Sequence, residues 1–251
     1  MEKNYLEILH ACKLDATTVI PNDNIYFVIQ NKCIGSTGNF VSLVGLPKAG
    51  KSTFISAIIA AGISKKEIFG MNVLTYENKY RIALFDTEQS NIDFQNKAKQ
   101  IKRLSKQADI YKNLDVYTVT EHSANTIMHL IKMYLEITPT CAVLVVDGIL
   151  DLIDNMNDEK QSKYLTKFLR VMAKKFDVLI ITVLHLGKKD KTSIGHIGSS
   201  SDRYAQSTLE IEKTKEGTFK MSAKMLRSAS DFEPIELAWS DDNKSYIHLN
   251  P

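Results

Sequence analysis

A glycine-rich motif between an apolar run and a helical pattern constrains this chain more than any other feature. Residues 45–52 match the pattern G-x-x-x-x-G-K-[ST] at every fixed position. The apolar run FVSLV (40–44) precedes the motif, and the helical pattern STFISAIIAAG follows it. A strand that enters a helix through such a turn brings several backbone N–H groups to face one point. The motif therefore predicts a strand–loop–helix unit that binds phosphate.

The residue types of the motif indicate which phosphate compound it holds. In this pattern the lysine, here Lys51, reaches the β- and γ-phosphates of a nucleotide, and the hydroxyl of Ser52 ligates Mg²⁺. We therefore predict that the chain binds ATP together with Mg²⁺. The candidate nucleotide-binding residues are Gly45, Leu46, Pro47, Lys48, Ala49, Gly50, Lys51, Ser52 and Thr53.

Apolar runs alternate with helical patterns along the rest of the chain. The strand-like runs lie at 81–85, 114–119, 141–146 and 177–184, and the helical patterns at 91–108, 123–137 and 158–175. Near-continuous apolar strands are typical of a parallel sheet covered by helices on both faces. From residue 207 onward, alternating segments predict antiparallel strands at a sheet edge. The predicted fold class is α/β, with a mostly parallel central sheet flanked by helices and antiparallel C-terminal strands.

The beginning of the chain differs from this alternation. The first fourteen residues have the spacing of a short amphipathic helix, and residues 15–39 are typical of loop with a short strand. We therefore divide the chain into an N-terminal helix and lead-in segment (1–39) and one nucleotide-binding domain (40–251).

Charge and cysteine content limit the classes of function. The 32 basic and 29 acidic residues give a net charge of +3, well short of a dedicated nucleic-acid-binding domain. Cys12, Cys33 and Cys141 form no C-x-x-C pair, which fits thiols in a reducing cytosol. No apolar run is long enough to span a bilayer, and the first residues lack the apolar stretch of a signal peptide. We expect a cytoplasmic protein with no membrane partner.

A second ligand for Mg²⁺ is expected at the end of a buried strand. Asp147 directly follows the apolar run CAVLVV. The carboxyl ends of parallel strands form the crevice in which such folds bind ligands. Asp147 is therefore the candidate metal ligand beside Ser52. Asp151 and Asp154 lie beyond the strand and are the weaker alternatives.

Hydrolysis also needs a group that orients or deprotonates water. Glu88 lies just beyond the run RIALF, on the side of the sheet where the phosphate loop is expected. It is the candidate catalytic carboxylate, and Asp86 is its competitor. The alternative interpretation is that these acidic residues only begin the helix at residue 91, since acidic side chains favour first helical turns.

His185 ends the run that covers residues 177–184. A histidine at this strand end can hydrogen-bond a phosphate oxygen in either neutral tautomer. The segment 187–203 follows, and its candidate DNA-binding residues are Lys188, Lys189 and Lys191. A basic, glycine-containing loop can contact a nucleic-acid backbone, although this one has no aromatic residue for base stacking. A solvated mobile loop is the alternative.

Two further basic segments have competing interpretations. Lys224 and Arg227 end one of the late strand-like segments, either as catalytic residues or as surface charges. The helical pattern after residue 91 carries Lys97, Lys99, Lys102, Arg103 and Lys106. These five are most simply a solvated helix face.

Taken in order, these motifs resemble the RecA-like P-loop ATPase superfamily. Within it, the chain is most similar to the RepA-like and DnaB-like hexameric helicase ATPases of plasmids and mobile elements. The resemblance covers about residues 20–240. The phrases that carry it are VSLVGLPKAGKST, ALFDTEQS, VLVVDGILDLI, ITVLHLGKK and AKMLRSASDFEPIEL.

The resemblance implies a specific sheet order and specific roles. The strand that ends at His185 should lie between the strands that end at the phosphate loop and at Asp147. Glu88 becomes the catalytic glutamate and His185 the γ-phosphate sensor. Lys224 and Arg227 become residues that reach the γ-phosphate of a neighbouring subunit, although DnaB-like helicases usually space them K-x-R rather than K-x-x-R. ATP would then lie between protomers of a ring or filament.

The predicted function is an ATP-hydrolysing RecA-like ATPase that acts on DNA, preferably single-stranded, as a homo-oligomeric hexamer or filament. A helicase-like or accessory motor in replication or mobilisation of a mobile element fits this description. One alternative is a nucleotide-dependent scaffold or regulatory ATPase that does not unwind DNA. A small-molecule P-loop kinase is another, but it needs an arginine-rich lid, and the segment 148–176 contains only Arg170.

Overall fold

The computed structural model describes residues 5–13, 24–187 and 195–249. The helices are α1 (Tyr5–Ala11), α2 (Lys51–Ser64), α3 (Asn91–Ser105), α4 (Ala124–Ile137), α5 (Glu159–Phe176) and α6 (Gly195–Tyr204), with a short 3₁₀ helix at Ile149–Leu152. The first strands are β1 (Ile25–Ile29), β2 (Lys32–Ser36), β3 (Phe40–Gly45), β4 (Met71–Val73), β5 (Arg81–Asp86) and β6 (Leu114–Thr118). The later strands are β7 (Cys141–Asp147), β8 (Leu179–His185), β9 (Ser207–Lys213), β10 (Phe219–Leu226), β11 (Ile235–Ser240) and β12 (Ser245–His248).

A nine-stranded sheet organises the molecule, in the order β12-β11-β10-β9-β3-β8-β7-β5-β6. The six strands from β9 to β6 in this order are parallel, whereas β10, β11 and β12 are each antiparallel to their neighbours. This confirms an α/β fold with a mostly parallel sheet and antiparallel C-terminal strands. One detail differs from the prediction, because the first late strand, β9, is parallel to β3. Strand β8 lies between β3 and β7, as expected.

Helices cover the central strands on both faces, which explains why those strands are almost entirely apolar and buried. Alternate residues of a strand point to opposite faces. Leu43 and Val145 belong to one buried cluster with residues of α2 and α3. Their neighbours Val44 and Leu144 belong to a second buried cluster with residues of α4 and α5. All residues of β3 and β7 are buried as a result.

A second, three-stranded sheet forms from β2, β1 and β4. Strands β1 and β2 make a hairpin whose two turn residues, Gln30 and Asn31, have φ values of 47° and 64°. Tight hairpin turns need such positive φ values, which asparagine tolerates better than most residues. Residues of both strands pack in the same buried cluster as α2. The lead-in segment before residue 40 thus contains two strands, β1 and β2, that pack with the rest of the chain. Residues 14–23 lie outside the described part.

The segment predicted as a basic loop at 187–203 is helical in its second half. Residues of α6 pack on α5, and Ile197, Gly198 and Ser201 are buried. Glycine and serine are poor helix formers, so packing of these small residues outweighs local propensity. Lys188, Lys189 and Lys191 lie outside the described residues. In the three described ranges of the chain, no helix combines the length and apolar character that a bilayer span requires.

Candidate functional site

Four strand ends meet at one edge of the large sheet. Gly45 at the end of β3 pairs with His185 at the end of β8. Asp86 at the end of β5 pairs with Asp147 at the end of β7. The carboxyl edge of a parallel sheet is where open α/β folds bind ligands. Residues that are far apart in sequence therefore come together beside the phosphate loop.

Lys51 is held inside the phosphate loop. Its Nζ donates hydrogen bonds to the backbone oxygens of Gly45 at 2.9 Å and Leu46 at 2.8 Å. The residue is only 7% exposed. Burial lowers the pKa of Lys51 to about 8, although the negative charges of Glu88 and Asp147 act in the opposite direction. The ammonium group of Lys51, which the motif assigns to phosphate, is thus hydrogen-bonded to two carbonyl oxygens of the loop.

The backbone of the loop has the conformation of an anion cradle. Lys48 and Gly50 have φ values of 63° and 97°. A side chain at position 50 would overlap the ring of Phe219, which packs directly against the loop. Helix α2 begins at Lys51 with no side-chain cap and no acidic residue in its first turn. The amides of Thr53 and Phe54 donate to the backbone oxygen of Gly50. The amides before them, at Lys51 and Ser52, precede the first intrahelical bonds and are suited to a phosphate group.

A chain of contacts links the loop lysine to the candidate base. Nζ of Lys51 lies 3.1 Å from Nδ1 of His185. The other ring nitrogen, Nε2, lies 3.3 Å from the Glu88 carboxylate. An ammonium can only donate, so Nδ1 accepts and Nε2 carries the proton that faces Glu88. The hydrogen bond from His185 is the main reason why the pKa of Glu88 is lowered.

Lys97 is the functional residue that sequence reasoning missed. Its Nζ lies 2.7 Å from an oxygen of Asp86 and 2.7 Å from an oxygen of Asp147. Burial acts to lower the pKa of Lys97, but attraction to Asp147 and Asp86 outweighs it and raises the pKa. The interpretation of Lys97 as part of a solvated face is wrong, because it is 4% exposed.

Helical periodicity contained the signal for this burial. Phe94, Lys97 and Ile101 are spaced by three and four residues, so they share one helix face. Ile101 is fully buried and Phe94 packs against the same apolar cluster. The other basic residues of the pattern are exposed at Lys99, Lys102, Arg103 and Lys106. One lysine of the five therefore points inward while the other four remain in solvent.

The structure gives Asp86 and Glu88 different surroundings. Asp86 is fully buried, and its Oδ1 accepts hydrogen bonds from the backbone N–H groups of Glu88 and Gln89. Its Oδ2 contacts Lys97. The side chain of Glu88 is 37% exposed. Of the two carboxylates, Glu88 is the one with access to solvent and to the loop.

Residues next to Asp147 build the end of β7. The hydroxyl of Thr87 donates to Asp151 at 2.6 Å and also contacts the backbone oxygen of Asp147. Gly148 has a φ of 104°, and a Cβ there would overlap the Thr87 hydroxyl. Asp151 thus anchors this turn. Asp154 is exposed, and its backbone N–H donates to a side chain of α5.

Ser52 and Asp147 can supply the metal side of the site. A hydroxyl and a carboxylate are hard oxygen donors, and Mg²⁺ is usually bound by one or two carboxylates together with phosphate oxygens. Burial acts to raise the pKa of Asp147, whereas the charge of Lys97 acts to lower it. Gln89, a residue that had no assigned role, donates from Nε2 to the Ser52 hydroxyl at 3.2 Å. Thr53 is buried in the first turn of α2.

Lys224 and Arg227 lie towards the amino ends of the parallel strands, away from the phosphate loop at their carboxyl ends. Strand β10 is antiparallel to β9, and Leu226 pairs with Ser207, whose partner in β3 is Val41 near the start of that strand. The guanidinium of Arg227 donates to the backbone oxygen of Ala205, just after α6, at 2.9 Å. It also donates to the backbone oxygen of Arg203, in the last turn of α6. Lys224 forms an ion pair with Asp202 at 2.9 Å. Both side chains thus contact residues between 202 and 205, in and just after α6.

The candidate site therefore consists of the loop, Glu88, Lys97, Asp147 and His185, and it excludes Lys224 and Arg227 from the same subunit. No protein-family model matches the chain, and no curated protein is significantly similar to it in sequence.

Proposed function

We propose that this protein is a RecA-like ATPase that binds ATP with Mg²⁺ at the carboxyl edge of the large sheet and hydrolyses it. One observation carries the proposal: the contact chain Lys51–His185–Glu88, with distances of 3.1 and 3.3 Å, directly beside the phosphate loop. It supports hydrolysis because it connects a phosphate-binding cation to a carboxylate with access to solvent.

The chain's own groups suit the binding step. The loop amides and Lys51 would hold the phosphates, so Lys51 would exchange the carbonyl oxygens of Gly45 and Leu46 for phosphate oxygens. Mg²⁺, held by Ser52 and Asp147, would neutralise charge on the phosphates. Lys97 holds the carboxylate of Asp147 in one orientation. Such preorganisation lowers the reorganisation that binding requires.

Glu88 and His185 suit the chemical step. The hydrogen bond from His185 to Glu88 lowers the pKa of Glu88 and thereby weakens it as a base. A γ-phosphate offers His185 another acceptor. When the Nε2–H turns to that oxygen, Glu88 is released to take a proton from water as water attacks the γ-phosphorus. The bond from the γ-phosphorus to the bridging oxygen breaks, and ADP leaves. In this proposal the histidine makes the base depend on a bound nucleoside triphosphate.

DNA is the proposed partner, and a ring or filament the proposed assembly. The resemblance to hexameric helicase ATPases supports both. The position of Arg227 also supports assembly, because it lies at the sheet edge opposite the phosphate loop of its own chain. From that edge it could reach only the nucleotide of another subunit. An arginine supplied in this way strongly accelerates phosphoryl transfer.

The direct test compares nucleotide binding with phosphate release. Glu88→Gln should retain the affinity for a fluorescent ATP analogue while hydrolysis falls by about 10²- to 10⁴-fold, as expected for loss of a general base. Lys51→Ala should lose the binding itself. Glu77→Gln, an exposed glutamate elsewhere, is the matched control and should behave as wild type. Unchanged turnover in Glu88→Gln would overturn the assignment of the base.

A regulatory ATPase that does not unwind DNA is the second candidate. The observation in its favour is that Arg227 donates to two carbonyls of its own chain. Mixing Lys51→Ala and Arg227→Ala proteins distinguishes an assembled DNA-dependent ATPase from a regulatory ATPase. If Arg227 acts on a neighbour, the mixture regains hydrolysis, because some interfaces combine an intact loop with an intact arginine. A mixture as inactive as its parts, or turnover that ignores single-stranded DNA, favours the regulatory ATPase.

A further inference from the structure

A basic groove lies at the edge of the sheet opposite the phosphate loop. It consists of two adjoining cavities of about 620 and 680 Å³ that share Asn39 and Arg170 in their linings. We define the basic groove by its cationic residues Lys167, Arg170, Lys174, Arg203 and Arg227. Asn39 immediately precedes β3, so the groove is at the amino ends of the parallel strands.

All charged side chains among the described residues that line the groove are positive. Among the described residues that line the two cavities there is no aspartate or glutamate. Lys175 also lines the groove but lies 3.6 Å from Glu136. Within the described ranges, none of the five defining residues forms an ion pair. For a chain with a net charge of only +3, this is a strong local concentration of positive charge.

The groove is built on rigid elements. Lys167, Arg170 and Lys174 are spaced by three and four residues on α5, so they form a row along one exposed helix face. Arg227 is held by two carbonyls at the end of α6. Gln206 is buried in the floor, where its amide contacts Ser36 and Ser228. The cations are therefore presented by packed secondary structure rather than by a loose surface.

An aromatic side chain stands among these cations. Tyr204 lines the groove and is 40% exposed. The guanidinium of Arg170 lies 5.0 Å from the centre of its ring. Aromatic rings interleaved with basic side chains are the arrangement on which unstacked bases and phosphates bind together. An acidic peptide would use the cations but gain little from the ring.

We propose that the basic groove binds single-stranded nucleic acid, with phosphates on Lys167, Arg170, Lys174 and Arg203 and a base on Tyr204. Arg227 borders the groove but keeps the role proposed above. The proposal rests on the proposed function only in its DNA partner, since it requires neither a bound nucleotide nor hydrolysis. ATP and the nucleic acid occupy opposite edges of the sheet, so they do not compete. Helix α6 leads from the segment after His185 to Tyr204 and thus connects the two sites along the chain.

The test measures the fluorescence anisotropy of labelled oligothymidylate with three proteins. Lys167→Glu/Arg170→Glu/Lys174→Glu should bind at least about tenfold more weakly than wild type, and the slope of log K against log salt should fall by about 2. Lys99→Glu/Lys102→Glu/Lys106→Glu is the matched control, because it reverses the same number of exposed charges at the same sequence spacing, two on α3 and one at its C-cap. This control should bind nearly as wild type does.

Further variants separate the groove from the other proposals. Tyr204→Leu should weaken binding by about fivefold or more, because a stacking contact is lost. Lys51→Ala should retain oligothymidylate binding, since the groove is distant from the phosphate loop. If the triple glutamate variant melts early, Lys167→Gln/Arg170→Gln/Lys174→Gln replaces it with the same expected direction.

Four outcomes would overturn the proposal that the groove binds nucleic acid. The first is equal loss of affinity in the α5 and α3 variants, which would indicate unspecific attraction. Another is undiminished binding in the α5 variant, which would place the nucleic acid elsewhere but would not contradict the proposed ATPase activity. The third is displacement of oligothymidylate by polyglutamate at equal charge concentration, which would indicate a surface for acidic proteins. If wild type binds no oligothymidylate, the groove fails, while binding of a fluorescent ATP analogue still reports separately on the ATPase.

Discussion

The ammonium group of Lys97 lies 2.7 Å from the carboxylate of Asp147, and both groups are buried at the end of β7. The same ammonium contacts Asp86, so one cation from α3 holds two neighbouring strand ends. Buried charges are costly unless they are paired. This arrangement fixes the carboxylate that a metal ion would use, and it ties the helix after Glu88 to the sheet.

Removal of the Lys97 charge should destabilise the fold. Lys97→Met leaves two buried carboxylates without their cation, and we expect a loss of about 3–5 kcal/mol in the free energy of unfolding. Denaturant titration measures this loss. Lys99→Met, on the exposed face of the same helix, should stay within about 0.5 kcal/mol of wild type. Equal stability of the two variants would show that the buried pair contributes nothing.

The affinity for ATP should fall as pH rises past the pKa of Lys51. Burial lowers this pKa to about 8, so the side chain loses its proton just above neutral pH. Phosphate binding favours the charged form, and nucleotide affinity should therefore weaken above about pH 8. Titration of a fluorescent ATP analogue below and above that pH tests this. Lys51→Arg keeps its charge over the whole range and should lack the dependence if it still binds.

The pKa shift of Lys51 also affects stability. A lysine whose folded pKa is below its unfolded value binds fewer protons in the folded state. The free energy of unfolding should therefore rise with pH from about 8 towards 10.5, the range between the two values. Lys51→Met should flatten this rise. An identical slope in both proteins would contradict the assigned shift.

Removal of His185 should move the acid limb of the pH–rate profile upward. The hydrogen bond from His185 lowers the pKa of Glu88, so wild type retains an ionised base to lower pH. In His185→Ala that support is absent and Glu88 takes up its proton at a higher pH. The pH dependence of kcat/KM, which reports the free enzyme, measures the shift. His122→Ala, an exposed histidine, should leave the profile unchanged.

A methyl group at position 148 should disturb the site, whereas one at position 217 should cause only backbone strain. Both glycines have positive φ, at 104° and 86°. A Cβ at Gly148 would overlap the Thr87 hydroxyl and lie 2.7 Å from Cγ of Glu88, but at Gly217 it would meet no atom within 4 Å. Each alanine variant should lose about 1–3 kcal/mol from strain. Gly148→Ala should lose more and should also lose hydrolysis; equal effects would contradict this prediction.

Much of the site could be predicted because it depends on the order of strands and motifs along the sequence. The glycine pattern at 45–52 requires only local backbone geometry, and it lies between β3 and α2 as predicted. Asp147 and His185 directly end apolar runs, and parallel strands bring such ends to one edge. The hairpin at Gln30 and Asn31 was harder to predict, because neither residue is glycine and the turn is supported by packing with β4.

The sequence by itself determined the phosphate loop, the alternation of strands and helices, and the strand ends that carry Glu88, Asp147 and His185. Helical periodicity places Lys97 on the apolar face of α3, but only the tertiary structure decided that a charged group could be buried there. Two carboxylates at adjacent strand ends neutralise Lys97, and one of them, Asp147, lies 50 residues away in the chain. The charge of the basic groove likewise arises only when α5, α6 and the end of β10 meet, because surface potential depends on proximity in space.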